Sequence, residues 1–142
     1  RILVAAEAVG LGKVALKKAT NYARERVVFD RPIGQNQSIQ HPLAERWMDL
    51  EAAELMTYKA AWLYGQGQPH GAEANMAKLL ASEASWAAAN ACLDTHGGFG
   101  FAAEYDVERK FRETRLYQVA PISTNFVLSY VAEHLLGLPR SY

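Results

Sequence analysis

Met76-Ala77-Lys78-Leu79-Leu80-Ala81-Ser82-Glu83-Ala84-Ser85-Trp86-Ala87-Ala88-Ala89-Asn90-Ala91 lies inside a proline-free run from Gly71 to Thr95. Alanine is the strongest intrinsic helix former, and propensity summed over such a window favours helix. Met76, Leu80, Ala84, Ala87, Ala88 and Ala91 fall on one helical stripe, and its small side chains permit close approach of a neighbouring helix. The sequence therefore predicts a helix over Gly71–Thr95, ended by the glycines of His96-Gly97-Gly98-Phe99-Gly100.

Working upstream, Arg1 to Arg26 has no proline and much alanine, leucine and lysine, which predicts a first helix. Gly10 and Gly12 each weaken it by about 1 kcal/mol, which close approach of another helix or a ligand would offset. Phe29-Asp30-Arg31-Pro32-Ile33-Gly34-Gln35-Asn36 reads as a loop, and a second helix begins near Asn36 to Ser38 with Pro42 in or beside its first turn. Ile39, Leu43, Trp47 and Leu50 mark its core face, and Gly65-Gln66-Gly67-Gln68-Pro69 closes it.

Downstream, Glu104 to Arg109 predicts a short helix and Ser123 or Thr124 to Leu136 a longer last one, stopped by Gly137 and Pro139. No strand pattern alternates with these segments, so the predicted fold is all-α: an up-and-down antiparallel four-helix bundle with an additional short helix, one domain over residues 1–142. The helical reading of Arg1-Ile2-Leu3-Val4-Ala5-Ala6 begins without a cap, which leads us to expect a fragment of a longer chain.

Composition narrows the function classes. The chain has 15 basic and 15 acidic residues, so no net field attracts nucleic acid or an anionic membrane. No run approaches the roughly 20 apolar residues of a membrane span. Cys92 is the only cysteine, which rules out an internal disulfide, fits a reducing compartment and reads best as a small buried hydrophobe. The expected location is cytoplasmic, or organellar. His41, His70, His96 and His134 show no paired-ligand spacing, so no metal site is expected.

Three local features go beyond structure. Arg24 and Arg26 fall at the end of the first helix, where a cation complements the dipole and an arginine fork also suits phosphate. Gly97 and Gly98 can stop a helix or let bare backbone lie flat against a cofactor. Ser123, Thr124 and Asn125 begin a helix, where free amides and the dipole favour an anion.

Taken in order, these segments resemble the C-terminal domain of the acyl-CoA dehydrogenase family. Tyr22-Ala23-Arg24-Glu25-Arg26-Val27-Val28-Phe29-Asp30-Arg31-Pro32-Ile33 is similar to the family's Y-A-x-x-R-x-x-F-G-x-P-I, Met76-Ala77-Lys78 to A-M-A-K, and His96-Gly97-Gly98-Phe99-Gly100-Phe101 to H-G-G-x-G-Y. The resemblance implies a larger FAD enzyme, a homodimer or homotetramer, with the flavin across a subunit interface and an electron-transfer flavoprotein as acceptor. In such enzymes a carboxylate removes the α-proton of an acyl-CoA thioester while the β-hydride passes to the flavin.

By the same resemblance, Arg26 matches an arginine on the FAD pyrophosphate of the neighbouring subunit, and Phe29 and Gln37 match residues along that cofactor. Asp94, Gly97 and Gly98 match the stretch at its adenosine end, with Asp94 in place of the usual glutamine. Ser123, Thr124 and Asn125 match the turn beside the flavin, and Arg1 matches a position lining the acyl-CoA pocket.

Two departures stand out. Asp30 replaces a glycine and is expected to keep the turn, since aspartate tolerates a left-handed backbone better than most residues. Val119-Ala120-Pro121-Ile122-Ser123-Thr124-Asn125 occupies the place of I-Y-E-G-T-N, whose glutamate is the base in many relatives, and neither Pro121 nor Ile122 can take a proton. A branch resembling isovaleryl-CoA dehydrogenase carries its base just before the arginine matched by Arg1, so the base is expected immediately upstream of Arg1 and no catalytic residue within the chain. The chain by itself is expected to lack stoichiometric FAD and activity, and to self-associate through a face other domains would cover. A non-catalytic FAD- or CoA-binding or assembly module, and a flavin oxidase or monooxygenase on the same scaffold, are the competing readings.

Overall fold

A computed structural model describes residues 1–141. Its elements are α1 (Ile2–Glu25), β1 (Val27–Val28), β2 (Arg31–Pro32), α2 (Gln37–Gly65), α3 (Gly71–His96), α4 (Val107–Val119) and α5 (Thr124–His134), with 3-10 turns at Ile33–Gln35, Gly97–Phe101 and Ala103–Tyr105. The all-α bundle holds. Its centre is α3, which packs against all four other helices.

The packing of α1 on α3 follows from small residues on both. Ala5, Ala8, Ala15 and Ala19 on α1 and Ala77, Ala81, Ala88 and Ala89 on α3 are buried. A Cβ on Gly12 would lie 2.6 Å from Leu50 Cδ2 and 3.0 Å from Ser85 Cα, so only hydrogen fits there. Gly10, by contrast, has nothing within 4 Å, so no neighbouring helix makes the close approach there. Arg1 shares a cleft with Ala74, Gly12 meets Ser85, and Arg26 shares a cleft with Asp94. The two helices therefore run parallel and end together.

On the other side, Lys13 ties α1 to α2, donating to Glu54 at 2.6 Å, pairing with Glu51 at 3.1 Å and standing over the Trp47 ring. Trp47 was expected in the core but is 51% exposed, because its ring covers the Lys13 stem at the edge while Leu50, Ala53, Thr57 and Ala60 face inward. Leu80 likewise points outward at 41% exposure; of the predicted stripe Ala84, Ala88 and Ala91 are buried, and the buried face widens to Ala77, Lys78, Ala81, Ser85 and Cys92. Alanine throughout the run let the stripe be drawn on either side. Pro42 is the sixth residue of α2, beyond its first turn, and cannot donate to the carbonyl of Ser38, which is an exposed residue.

The loop predicted after α1 has more structure than expected. Within the loop after α1, β1 and β2 pair antiparallel, Val28 opposite Arg31, around a two-residue turn of Phe29 (φ 51°) and Asp30 (φ 60°). Positive φ at both central residues is what a type I′ hairpin turn demands. Asn36 braces it, accepting from Arg31 Nη2 at 2.8 Å and donating to the Ile33 carbonyl at 3.0 Å.

The short helix expected over 104–109 is instead the 3-10 turn Ala103–Tyr105, a left-handed Asp106, and the 13-residue α4. Asp106 takes an ion pair from Lys18 at 3.6 Å and from Arg109, which fixes the new start. Glu108 with Arg112, and Arg109 with Glu113, then support the exposed side at i,i+4 spacing. Val107 and Thr114 are buried, with Phe111 against Trp86 at 4.4 Å between ring centroids.

Candidate functional site

The parallel run of α1 and α3 brings their C-terminal ends to one cleft of about 410 Å³, lined by Tyr22, Arg26, Val28, Ile33, Asp94, Thr95, His96, Gly97, Gly98 and Phe99. Four of the predicted site residues, Arg26, Asp94, Gly97 and Gly98, meet here, although 68 positions or more separate Arg26 from the others in the chain. Arg26 is the C-cap of α1, turned out of the helix at ψ 113° with its N–H on the Tyr22 carbonyl. Its guanidinium lies 5.6 Å from the Phe99 ring centroid and, among the described residues, pairs with no carboxylate. Gly97 turns the chain at φ +56°, and neither it nor Gly98 has any atom within 4 Å of where a Cβ would be. Those glycines face open space, as a backbone surface does when it is kept bare for a ligand.

An aromatic group fixes the cleft wall. His96 stacks on Tyr22 with ring centroids 4.2 Å apart, and Tyr105 meets both edge-on. His96 Nδ1 donates to the Cys92 carbonyl at 2.8 Å. Burial holds the imidazole below its ordinary value. Cys92 is buried, and burial pushes its thiol up to about 11, so it is a packed hydrophobe as expected and no nucleophile. Tyr22, His96 and Phe99 were not selected from sequence; the spacing Tyr22 to Arg26, one helical turn, is the signal that would have found the first.

The electrostatics put the weight on one side chain. Both helices present their negative dipole ends to this cleft. Asp94 adds a carboxylate, so an anion bound here depends on Arg26.

The other predicted residues lie elsewhere. Phe29 projects from the hairpin turn at 93% exposure, and Gln37 is exposed at the first position of α2. Arg1 lines a second cleft of about 680 Å³, mostly apolar, with Ile2, Leu3, Tyr64, His70, Gly71 and Ala74. Ser123, Thr124 and Asn125 open α5, where Ser123 is the N-cap without a side-chain cap bond. Pro121 follows a cis bond from Ala120, and no carboxylate occurs between Val119 and Asn125. Among the described residues, no helix is long and apolar enough to cross a membrane, and no group of three or more His, Cys, Asp or Glu side chains is arranged to hold a metal.

Comparison with known proteins adds a consistent result. Residues 1–136 match the family model described as "Acyl-CoA dehydrogenase, C-terminal domain". The chain is 47% identical over 144 aligned residues to acyl-CoA dehydrogenase FadE12 of Mycobacterium tuberculosis, covering 100% of this chain and 37% of that protein. Its fold matches the structure of a glutaryl-coenzyme A dehydrogenase in complex with glutaryl-CoA, with a TM-score of 0.94 at 34% identity over 99% of this chain and 36% of that one. It also matches an FAD complex of PigA, with a TM-score of 0.89 at 28% identity over 92% of this chain and 34% of that one. The chain thus spans little more than a third of the length of the relatives it matches.

Proposed function

The chain belongs to the acyl-CoA dehydrogenase family, and we propose that it is the C-terminal helical domain of a longer FAD-dependent enzyme that dehydrogenates an acyl-CoA thioester between Cα and Cβ. The observation that carries this reading is the cleft where Arg26, Gly97 and Gly98 meet: an unpaired guanidinium beside bare backbone, the donor set a dinucleotide pyrophosphate needs. Bound there, FAD would supply the hydride acceptor.

This chain's own residues bind and position. Arg26 offers paired N–H donors to phosphate oxygens and supplies the positive charge that the two helix ends and Asp94 withhold. Gly97 and Gly98 admit the ligand close to the main chain, and Asp94 is placed to accept from a hydroxyl at the adenosine end. Phe29 and Gln37 extend the same contact along the cofactor, and the exposed ring of Phe29 on a positive-φ backbone fits a side chain held out for a partner surface. Ser123, Thr124 and Asn125 present the α5 N-terminus to the flavin, and Arg1 with its apolar cleft forms part of the acyl-CoA pocket.

Arg26 lines the cleft at the C-terminal ends of α1 and α3 while Ser123 caps α5, and by the family resemblance one subunit's pyrophosphate cleft serves its neighbour's flavin. We therefore expect a homodimer or homotetramer. The exposed α2 stripe of Trp47, Leu55, Tyr58 and Trp62 is apolar surface for such contacts or for the enzyme's other domains, and for self-association of the domain alone. By its resemblance to the isovaleryl-CoA dehydrogenase branch, we propose that the base is the residue just upstream of Arg1; the turn from Val119 to Asn125 holds no carboxylate. An electron-transfer flavoprotein is the acceptor we propose. The buried, unpaired Cys92 fits a reducing compartment, the cytoplasm or, in a eukaryote, the mitochondrial matrix. The domain alone is expected to hold no stoichiometric flavin.

The test is turnover by the complete protein of acyl-CoA thioesters with an artificial electron acceptor. Formation of the 2-enoyl thioester is the expected result. No turnover despite bound flavin would favour a binding or assembly module, and hydrogen peroxide formed under oxygen would favour an oxidase.

A further inference from the structure

Among the described residues, Lys78 is the buried polar side chain of α3 whose hydrogen bond goes to another element. Asn75 donates to the Gly71 carbonyl, Ser82 to that of Leu79, Ser85 to that of Ser82, Thr95 to that of Ala91 and His96 to that of Cys92. Lys78 Nζ instead donates to the Ile122 carbonyl at 2.6 Å, 44 residues along the chain. Its side chain is 0% exposed, and among the described residues it pairs with no carboxylate.

Such a cation is costly. Removing an ammonium from water carries a penalty of several kcal/mol, and a single neutral carbonyl offsets only part of it. Stability alone would be served as well by an apolar side chain of similar volume. Burial accordingly holds the Lys78 ammonium below its ordinary value. A local rule broken at a fully packed position points to a requirement other than stability.

The requirement is visible at the other end of the bond. Ile122 immediately precedes Ser123, the N-cap of α5, and Ser123 provides no side-chain cap. Only Val127 of the 11-residue α5 is buried.

We propose that Lys78 is a positioning residue: by gripping the Ile122 carbonyl from inside α3 it fixes the turn Ile122–Asn125, and through it the first residues of α5, against the flavin. This rests on the placement of Ser123–Asn125 beside the flavin under the proposed function. The bond itself does not depend on that reading, so the two can fail separately.

The experiment compares the complete, flavin-loaded protein with Lys78→Met, which keeps the stem and removes the donor, and Lys78→Gln, which keeps a shorter, uncharged donor. In Lys78→Met, amide hydrogen exchange across residues 122–127 should rise at least about tenfold, as expected when a local opening becomes easier. kcat should fall about tenfold or more while KM for acyl-CoA stays within about twofold, the pattern of lost geometry at the reacting centre. The visible flavin spectrum should shift, and Lys78→Gln should lie between the wild type and Lys78→Met on all readouts.

Unchanged exchange in Lys78→Met would overturn the anchor. Increased exchange with kcat and flavin spectrum of the wild type would show a merely structural bond and overturn the positioning role. If Lys78→Met does not fold, Lys78→Gln decides: a smaller loss in the same direction supports the role, and wild-type values overturn it. A wild-type protein without flavin would sink the functional reading, leaving exchange at 122–127 to judge the anchor alone.

Discussion

Gly12 and Gly98 carry the same hydrogen for opposite reasons. At Gly12 a Cβ would collide with Leu50 Cδ2 at 2.6 Å and crowd the Ser85 backbone at 3.0 Å; at Gly98 it would meet nothing within 4 Å. The first glycine lets α1 and α3 close on each other, and the second leaves a surface bare. The seam between the helices is thus an interior solved by packing, whereas the cleft at their C-terminal ends is a surface where, among the described residues, Arg26 has no carboxylate partner and Gly97 and Gly98 stay bare. The distinction separates what makes the fold from what the fold presents.

The largest expected effect uses that pair directly. Gly12→Val should lower the stability of the complete protein by about 1–3 kcal/mol, because backbone on the far side cannot yield. Gly98→Ala should change it by no more than about 0.5 kcal/mol while weakening FAD binding. Thermal unfolding with and without added FAD reads both. Equal losses of stability in the two variants would erase the distinction between seam and cleft.

A smaller effect of opposite sign is expected at the hairpin. Phe29 holds φ 51°, a conformation that costs a side chain on the order of 1 kcal/mol and glycine very little. Phe29→Gly should therefore keep or raise stability by up to about 1 kcal/mol while weakening cofactor retention. A destabilised variant with unchanged flavin content would mean that Phe29 serves the domain's own structure.

The smallest effect belongs to His96, which joins the two regions through its stack on Tyr22. Burial, opposed by the bond to the Cys92 carbonyl and helped by the charge of Lys18, holds its folded-state pKa below 6.5. The unfolded chain then takes up the proton first as pH falls. The stability linked to neutral His96 is complete above about pH 6.5 and declines below it, with a slope of at most about 1.4 kcal/mol per pH unit. Denaturation between pH 7 and pH 5 should show this decline in the wild type and less of it in His96→Gln; a parallel decline in both would assign the effect to other groups.

Most of the seam was legible in the sequence. Alanine-rich runs, proline-free in α1 and α3, and the glycines that close α2 and α3 predict these helices closely, since local propensity and tertiary packing agree there. The face of α3 was not legible, because alanine lies on all sides of it and only the structure shows that Lys78 rather than Leu80 points inward. α4 was underread because Glu108, Arg109, Lys110, Arg112, Glu113 and Arg115 obscure the sparse inward spacing of Val107, Phe111 and Thr114. The hairpin at Phe29–Asp30 lacks the glycine or asparagine that announces a I′ turn. At the cleft, motif resemblance led to Arg26, Asp94, Gly97 and Gly98, which the structure places together, whereas the aromatic support comes from Tyr22 of α1 meeting His96 and Tyr105, more than 70 positions away.

The proposed cofactor role of the cleft is tested most directly by equilibrium binding of FAD to the complete apoprotein, wild type against Arg26→Ala, with thermal stability measured alongside in the absence of flavin. Stoichiometric flavin in the wild type, a loss in Arg26→Ala of about 1.5–3 kcal/mol, or tenfold and more in affinity, and matched unfolding temperatures are the expected result for a charge-assisted contact. Equal FAD affinity in the two proteins would contradict it.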